Sequence, residues 1–384
     1  MKYRNFGKTG YQVSLLGMGC MRLPFIDEND GGKGVNREKA YEMIRYAVDH
    51  GINYFDTALG YHGQTSEEVL GEALEGGMRE KVKIATKQPF WVMHKQSDIR
   101  QNLENTLKKL RSSYVDFYLV HCITQDSWPD IQKRDILKEF EKFKSEGLIR
   151  HIGFSYHGQY PAFEEIVSGY PWEMCLIQQN LLDTNNEVTE QGIYAAHKNG
   201  VAVSIMEPLR GGGLCHAPRP VAELYDNFPK KRSATEWAVR HLANYGEVET
   251  IVSGMSNMDQ LKDNIALFSQ DDMEPNCLSA DEKALLVKAR DAYNSIVTIP
   301  CTVCNYCMPC PHNVDISGTF SRYNDGNRFE HFDQAKRSYM FTRRGGRGVE
   351  KCTGCGECSP KCPQGINIPK ELQVAHRALD GWNE

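Results

Sequence analysis

The chain has 384 residues and a mildly acidic balance, 45 Lys and Arg against 50 Asp and Glu. That length allows one large domain and a small one, and that charge favours neither nucleic acid nor an anionic membrane surface as a partner. No 18-residue apolar stretch or apolar leader marks a membrane span or an export signal, so the thirteen cysteines argue for a reducing cytoplasm rather than a disulfide framework.

Residues 3–13 read as a hairpin turning at Gly7-Lys8-Thr9-Gly10. Short apolar runs then alternate with amphipathic stretches. Strands are expected at 14–19, 52–57, 82–87, 114–121, 151–155, 174–179, 201–206 and 250–253. Helices are expected at 37–50, 66–74, 99–110, 131–145, 187–198 and 234–243, with Gly51, Gly147 and Gly200 at C-terminal caps. Eight strand-then-helix units are the arithmetic of an α/β fold of the (β/α)8 TIM-barrel type. A doubly wound sheet is the competitor, but no G-x-G-x-x-G opens a helix after any strand. A final amphipathic helix spans 279–295, and the composition shifts at Pro300 into a cysteine-rich segment with helical patches at 332–341 and 369–379. The expected division is a barrel over 1–295 and a mostly helical, two-cluster ferredoxin-like domain over 296–384.

Eight cysteines fall in two runs, Cys301, Cys304, Cys307 and Cys310 before Pro311, and Cys352, Cys355, Cys358 and Cys362 before Pro363. Two-residue gaps gather thiolates on one centre, and the second run has the bacterial ferredoxin spacing, in which the proline-flanked fourth cysteine ligates the neighbouring cluster. Paired C-x-x-C units also make zinc sites; two [4Fe–4S] clusters are the reading preferred here. Swapped ligation would give Cys301, Cys304, Cys307 and Cys362 to one cluster, and Cys352, Cys355, Cys358 and Cys310 to the other. The shorter gap before Cys310 departs from the ferredoxin pattern.

Barrel enzymes place catalytic residues at the C-terminal ends of strands. Those positions hold Asp56, Lys87 and His121, with Tyr61 five residues beyond Asp56. Asp56-Thr57-Ala58 with Tyr61, then Ala85-Thr86-Lys87, then the run from Tyr114 to His121, resembles the aldo-keto reductase family. The opening Val13-Ser14-Leu15-Leu16-Gly17-Met18-Gly19 matches as well. The joined cysteine segment resembles the branch of that family carrying an iron–sulfur domain. The resemblance implies hydride transfer between NAD(P)H and a small carbonyl or alcohol. Tyr61 is then the general acid and base, His121 orients the carbonyl oxygen, and Asp56 holds Lys87. A free phenol is a weak acid near neutrality, and a neighbouring ammonium is expected to lower its pKa.

The resemblance also implies an extended dinucleotide across the barrel mouth. Gly19, Asp56 and Ser155 would meet the nicotinamide end, Leu209, Arg210 and Gly211 the pyrophosphate, and Gly254, Ser256, Gln260 and Asn264 the adenosine end. Three departures stand out. Tyr156 replaces the carboxamide-binding Asn, with His157 close by. Leu176 replaces a Gln and leaves Gln178 on the same strand face. Met206, two residues before Pro208, replaces a stacking tyrosine. Gly254 and Gln260 stand where cations clamp a 2′-phosphate, which points to NADH over NADPH. Trp91, Trp128, Phe25 and Tyr156 are candidates for an aromatic substrate pocket. A protein electron-transfer partner is a further expectation from the clusters. The alternative reading is an electron carrier or redox sensor that binds nicotinamide with little carbonyl turnover.

Overall fold

In the computed structural model, which describes residues 1–26, 34–93, 95–184, 187–303 and 305–381, a hairpin precedes a closed ring of strands. The hairpin pairs β1 (Tyr3–Asn5) with β2 (Gln12–Ser14) antiparallel. The ring contains β3 (Leu16–Gly19), β4 (Tyr54–Asp56), β5 (Lys83–Gln88), β6 (Val115–Ile123), β7 (Ile149–Tyr156), β8 (Met174–Gln178), β9 (Ala202–Met206) and β10 (Thr250–Ser253). They follow one another in chain order, all parallel, and β10 closes onto β3. The barrel expected from the alternation of apolar runs and amphipathic stretches is therefore present.

Side-chain alternation sorts each strand. Tyr54, Ala85, Phe117, Leu119, Met174, Leu176, Ala202 and Val252 form one buried cluster inside the ring, while their neighbours turn outward. Tyr118 packs on Phe140 at 4.8 Å and Phe154 on Trp172 at 4.6 Å. Phe6, fully buried, closes the N-terminal end of the barrel. Its ring lies 4.9 Å from Phe117 and 5.6 Å from Tyr54. Gly7, at φ +50, follows it so closely that an added Cβ would meet Ala202 Cβ at 3.0 Å.

The helices match expectation with one correction. The single helix expected over 131–145 is two, Trp128–Lys133 and Ile136–Ser145, broken at Asp135 with φ 52°. Asp tolerates the left-handed conformation, and the break lets Trp128 approach Trp172 at 6.1 Å while Ile136, Phe140 and Phe143 are buried by the second helix. The helix Ala280–Ser295 begins in a capping box formed by Ser279 and Glu282.

The chain forms two compact units. One contains Met1–Asn180, Glu187–Pro208 and Arg240–Cys277; the other takes the run after Asn180, Leu209–Val239 and everything from Leu278 onward. In the second unit the helices Ile316–Arg328, Phe332–Arg344 and Ile368–Leu379 enclose a core that includes Ile299, Phe320, Tyr339, Leu372 and Leu379. Asp315 and Asn367 cap the first and third of these helices through Gly318 and Lys370 backbone N–H groups. No helix among the described residues is long and apolar enough to cross a membrane.

Because Phe6 is the plug of the barrel floor, Phe6→Ala should cost about 3–5 kcal/mol in chemical denaturation, with the fold retained.

Candidate active site

Residues at the upper ends of the strands inherit the inward face from those below. Tyr54 points inward, hence Asp56; Ala85, hence Lys87; Leu119, hence His121; Leu176, hence Gln178. Gly19, Ser155 and Met206 hold the same inward position on β3, β7 and β9. Beyond His121 the pairing of β6 with β7 shifts register between Val120 and Ile123, and Cys122 takes φ 53°. This bulge lets His121 face the mouth while Ile123 is buried. Cys122 N–H donates to Ser155 Oγ at 2.8 Å, which ties the bulge to β7.

Lys87 is the centre of the site. Its Nζ donates to Asp56 Oδ1 at 2.7 Å, Asp56 Oδ2 at 2.8 Å and Thr57 O at 2.7 Å, with Tyr61 Oη at 3.4 Å. The side chain is 1% exposed and that of Asp56 6%, so neither charge has water to lean on and each needs the other. Burial pulls the Lys87 pKa down, but Asp56 and Tyr61 more than offset it, and the ammonium is held above its usual range. Thr57 O, an acceptor of the ammonium, was not foreseen; nothing in a side-chain pattern signals a backbone carbonyl.

Tyr61 corrects one expectation. Lys87 does act to lower its pKa, yet burial is the larger influence and the phenol is pushed up to about 12. It stays a neutral acid throughout the neutral range. Tyr61 stands in a short 3-10 turn, followed by His62 at φ 49°. Its ring lies 6.4 Å from that of His121. Burial first, then Lys87 and His157, drive the His121 pKa down to about 3, so the imidazole is neutral. Nδ1 of His121 is buried and has no hydrogen-bond partner among the described residues. All four predicted catalytic residues converge.

Of the aromatic pocket candidates, Trp91 lies 5.1 Å from His121 and Phe25 lies 5.1 Å from His62. Trp128 and Tyr156 do not belong there. Trp128, at the start of the helix Trp128–Lys133, is buried against Trp172, and Tyr156 is buried against Phe163 at 5.4 Å because β7 turns alternate residues away from the barrel interior.

The cofactor candidates divide. Gly19, Asp56, Ser155, Gln178, Met206 and Pro208 lie in the first unit with Gly254, Ser256, Gln260 and Asn264. Ser155 Oγ already accepts from Cys122 N–H, which leaves its own proton to donate. Gln179, missed in the sequence, has a buried Oε1 without a partner among the described residues, an acceptor suited to a ligand amide. Gln260 Oε1 accepts from Ser256 N–H at 2.8 Å, and Asn264 holds Ser253 Oγ at 3.1 Å. These two shape the loop after β10. Leu209, Arg210 and Gly211 lie in the second unit. There the Arg210 guanidinium is taken by Asp183 at 2.7 Å and Asp325 at 3.0 Å. Gly211, at φ +65, lies against the amide end of Gln334, and that left-handed backbone favours glycine there.

The thiols of the second unit gather in two places. Cys301, Cys307 and Cys362 line one cavity with Ser317, Phe320, Ile366 and Ile368. Burial pushes the Cys358 thiol up, and Cys352, Cys355 and Cys310 add to the effect as electrostatic neighbours. Cys304 lies outside the described residues. Cys362 thus stands with the first run and Cys310 near the second, while among the described residues no three such side chains close on one metal-sized point.

Breaking the buried ion pair should cost more than removing it. Lys87→Met is expected to destabilise by about 3–5 kcal/mol in urea unfolding, and Asp56→Asn added to it should restore most of that loss.

Comparison with known proteins agrees with this geometry. The model of the Aldo/keto reductase family matches residues 15–275, and that of a 4Fe-4S dicluster domain matches residues 300–367. The uncharacterized oxidoreductase YqkF of Bacillus subtilis is 26% identical over 297 residues, 69% of this chain and 90% of its own. L-galactose dehydrogenase of Arabidopsis thaliana is 26% identical over 305 residues, 70% of this chain and 89% of its own. An aldo-keto reductase of Bacillus halodurans in its holo form superposes with a TM-score of 0.62 at 26% identity, covering 75% of this chain and 96% of that one. The chain thus belongs to the aldo-keto reductase family and carries a 4Fe-4S dicluster domain at its C-terminal side.

Proposed function

We propose that the protein reduces the carbonyl group of a small molecule with a nicotinamide cofactor, Tyr61 delivering the proton. The observation that carries this reading is the single ammonium of Lys87 held between Asp56 and Tyr61. The nicotinamide, when bound, supplies the hydride. Tyr61 Oη accepts from Lys87 and so keeps its own O–H to donate toward the carbonyl oxygen. As negative charge develops there, the O–H proton moves to it, and the phenolate left behind is stabilised by Lys87. His121, neutral, offers a hydrogen bond rather than a charge to the same oxygen. Gly19, Ser155, Gln178, Gln179 and Met206 would hold the nicotinamide end, and the loop from Gly254 to Asn264 the adenosine end, where Asn257 caps a helix start. Gly254 and Gln260 offer no cation, which favours NADH; Arg22, whose stem runs along Gly254, is the guanidinium through which a 2′-phosphate would be met.

In the second unit, Cys301, Cys304, Cys307 and Cys362 would hold one [4Fe–4S] cluster, and Cys310, Cys352, Cys355 and Cys358 the other. A cluster passes one electron at a time, so the proton and hydride steps above are independent of it.

Tyr61→Phe should lower carbonyl reduction by roughly 10²–10⁴-fold while leaving nicotinamide binding in place; undiminished turnover would remove the mechanism. With the phenol pushed up to about 12, reduction should be flat from about pH 6 to 9. Alcohol oxidation, which needs the phenolate, should rise about tenfold per pH unit over the same range. Anaerobically purified protein should be brown with about eight irons, and Cys310→Ser should lose roughly half of them; a colourless protein with stoichiometric zinc would end the cluster reading.

A further inference from the structure

We propose that Asp325 is a positioning residue for the nicotinamide cofactor: through Arg210 it holds the loop after β9, and the helix that carries it makes this hold depend on cluster occupancy at the cysteines. The inference rests on the nicotinamide reading, in which the dinucleotide pyrophosphate lies at Leu209, Arg210 and Gly211, and adds how that binding is regulated.

The loop is shaped from within the second unit. Arg210 takes φ 47°, which is costly for a residue with a side chain. Its guanidinium, mostly buried, is held by Asp183 and Asp325, and those two carboxylates keep it in place. Gly211 and Gly212 follow at φ 65° and 100°, and glycines have little conformational preference of their own. Gly213 lies so close to Phe329 that an added Cβ would meet its ring at 2.6 Å. Asp325 in turn accepts from Arg328 at 2.8 Å, and Arg328 donates to Tyr293 O at 3.2 Å. The carboxylate that grips Arg210 is itself gripped.

Asp325 stands on the helix Ile316–Arg328, and the same helix walls the cysteine cavity. Ser317 and Phe320 line that cavity with Cys301, Cys307 and Cys362. Ser317 Oγ donates to Asn305 Oδ1 at 2.6 Å, inside the first cysteine run. Asn324, seven residues beyond Ser317, falls on the same helix face. It donates to Ile299 O at 2.8 Å and accepts from Ile299 N–H at 3.1 Å, two residues before Cys301. Asp325 is the next residue. One helix therefore bears on the cysteines along one face and on Arg210 at its C-terminal end, and a helix carries displacement as a rigid element. Cluster binding is folding free energy for the segment that supplies the thiolates, and that segment is packed on this helix. Losing the cluster should release Asp325, Arg210 and the glycines together.

The test measures NADH and NADPH binding by anaerobic calorimetry, on the holoprotein and after iron removal by a chelator, in wild type, Asp325→Asn and Asp325→Glu. Iron content and deuterium uptake of residues 209–215 are followed alongside. Iron removal should weaken the tighter dinucleotide roughly 10-fold in wild type, the value of a charge-assisted hydrogen bond, and uptake in 209–215 should rise. Asp325→Asn should keep its iron, bind about tenfold more weakly, and lose little more when iron is removed, because both changes break one linkage. Asp325→Glu should recover part of the affinity. By reciprocity, bound dinucleotide should protect iron from the chelator in wild type and not in Asp325→Asn. Affinity that ignores iron, or effects of substitution and iron removal that simply add, overturns the proposal. Asp325→Asn protein that loses its iron overturns it as well, since Asp325 would then serve the fold of the second unit alone. Wild-type holoprotein that binds neither dinucleotide overturns the nicotinamide reading itself, a different result from binding that ignores Asp325.

Discussion

The buried pair of Lys87 and Asp56 is the constraint around which the mouth of the barrel is organised. An ammonium that is 1% exposed has to find its acceptors within the protein, and here four surround it: both oxygens of Asp56, the carbonyl of Thr57 and the phenol of Tyr61. Desolvating two charges is costly, and the closed ring offsets that cost by holding β4 and β5 in a fixed register, with Asp56 paired to Ala85. The same rigidity points one N–H of Lys87 at Tyr61. Stability of the pair and readiness for proton transfer therefore come from one arrangement.

Much of this was legible in the residues. Eight strands could be read because each apolar run is short and bounded, and the tetrad because Asp, Lys and His recur at the strand ends where an alternating pattern would otherwise continue. What escaped reading depends on distances between segments. The break at Asp135 accompanies the packing of Trp128 near Trp172, far along the chain. Trp128 and Tyr156 looked like pocket residues, since aromatic character says nothing of which face of a helix or strand carries it. Tyr61 was expected to be a stronger acid because Lys87 is near. The sign of its shift depends on burial, a quantity that no local pattern carries.

The cysteines illustrate the same division. Their spacing is the basis for proposing iron and a crossed ligation, while the short gap before Cys310 leaves its partners open. In the folded chain Cys310 is among the electrostatic neighbours of Cys358, together with Cys352 and Cys355. Arg210 went the other way. Resemblance places it at the pyrophosphate through backbone N–H groups, and in the folded chain its guanidinium is engaged by Asp183 and Asp325. A charged residue in a glycine-rich loop is informative only when its counter-ions are known.

The ionisation states around the carbonyl site make one further point. Tyr61 is held protonated and His121 neutral, and burial and then Lys87 lower the His157 pKa, so Lys87 is the cation, already matched by Asp56. Under the proposed mechanism a site built this way would greet a carbonyl with neutral donors and reserve its charge for the moment when the phenol gives up its proton. The favourable interaction between Lys87 and the phenolate then exists after the proton has moved and not before, which is the condition for lowering a barrier rather than merely binding a substrate. In the proposed mechanism the same argument bears on the proton step. The form of Tyr61 that would accept a proton is scarce near neutrality, so alcohol oxidation would be slow there and would quicken as pH rises, while the position of equilibrium belongs to cofactor and substrate.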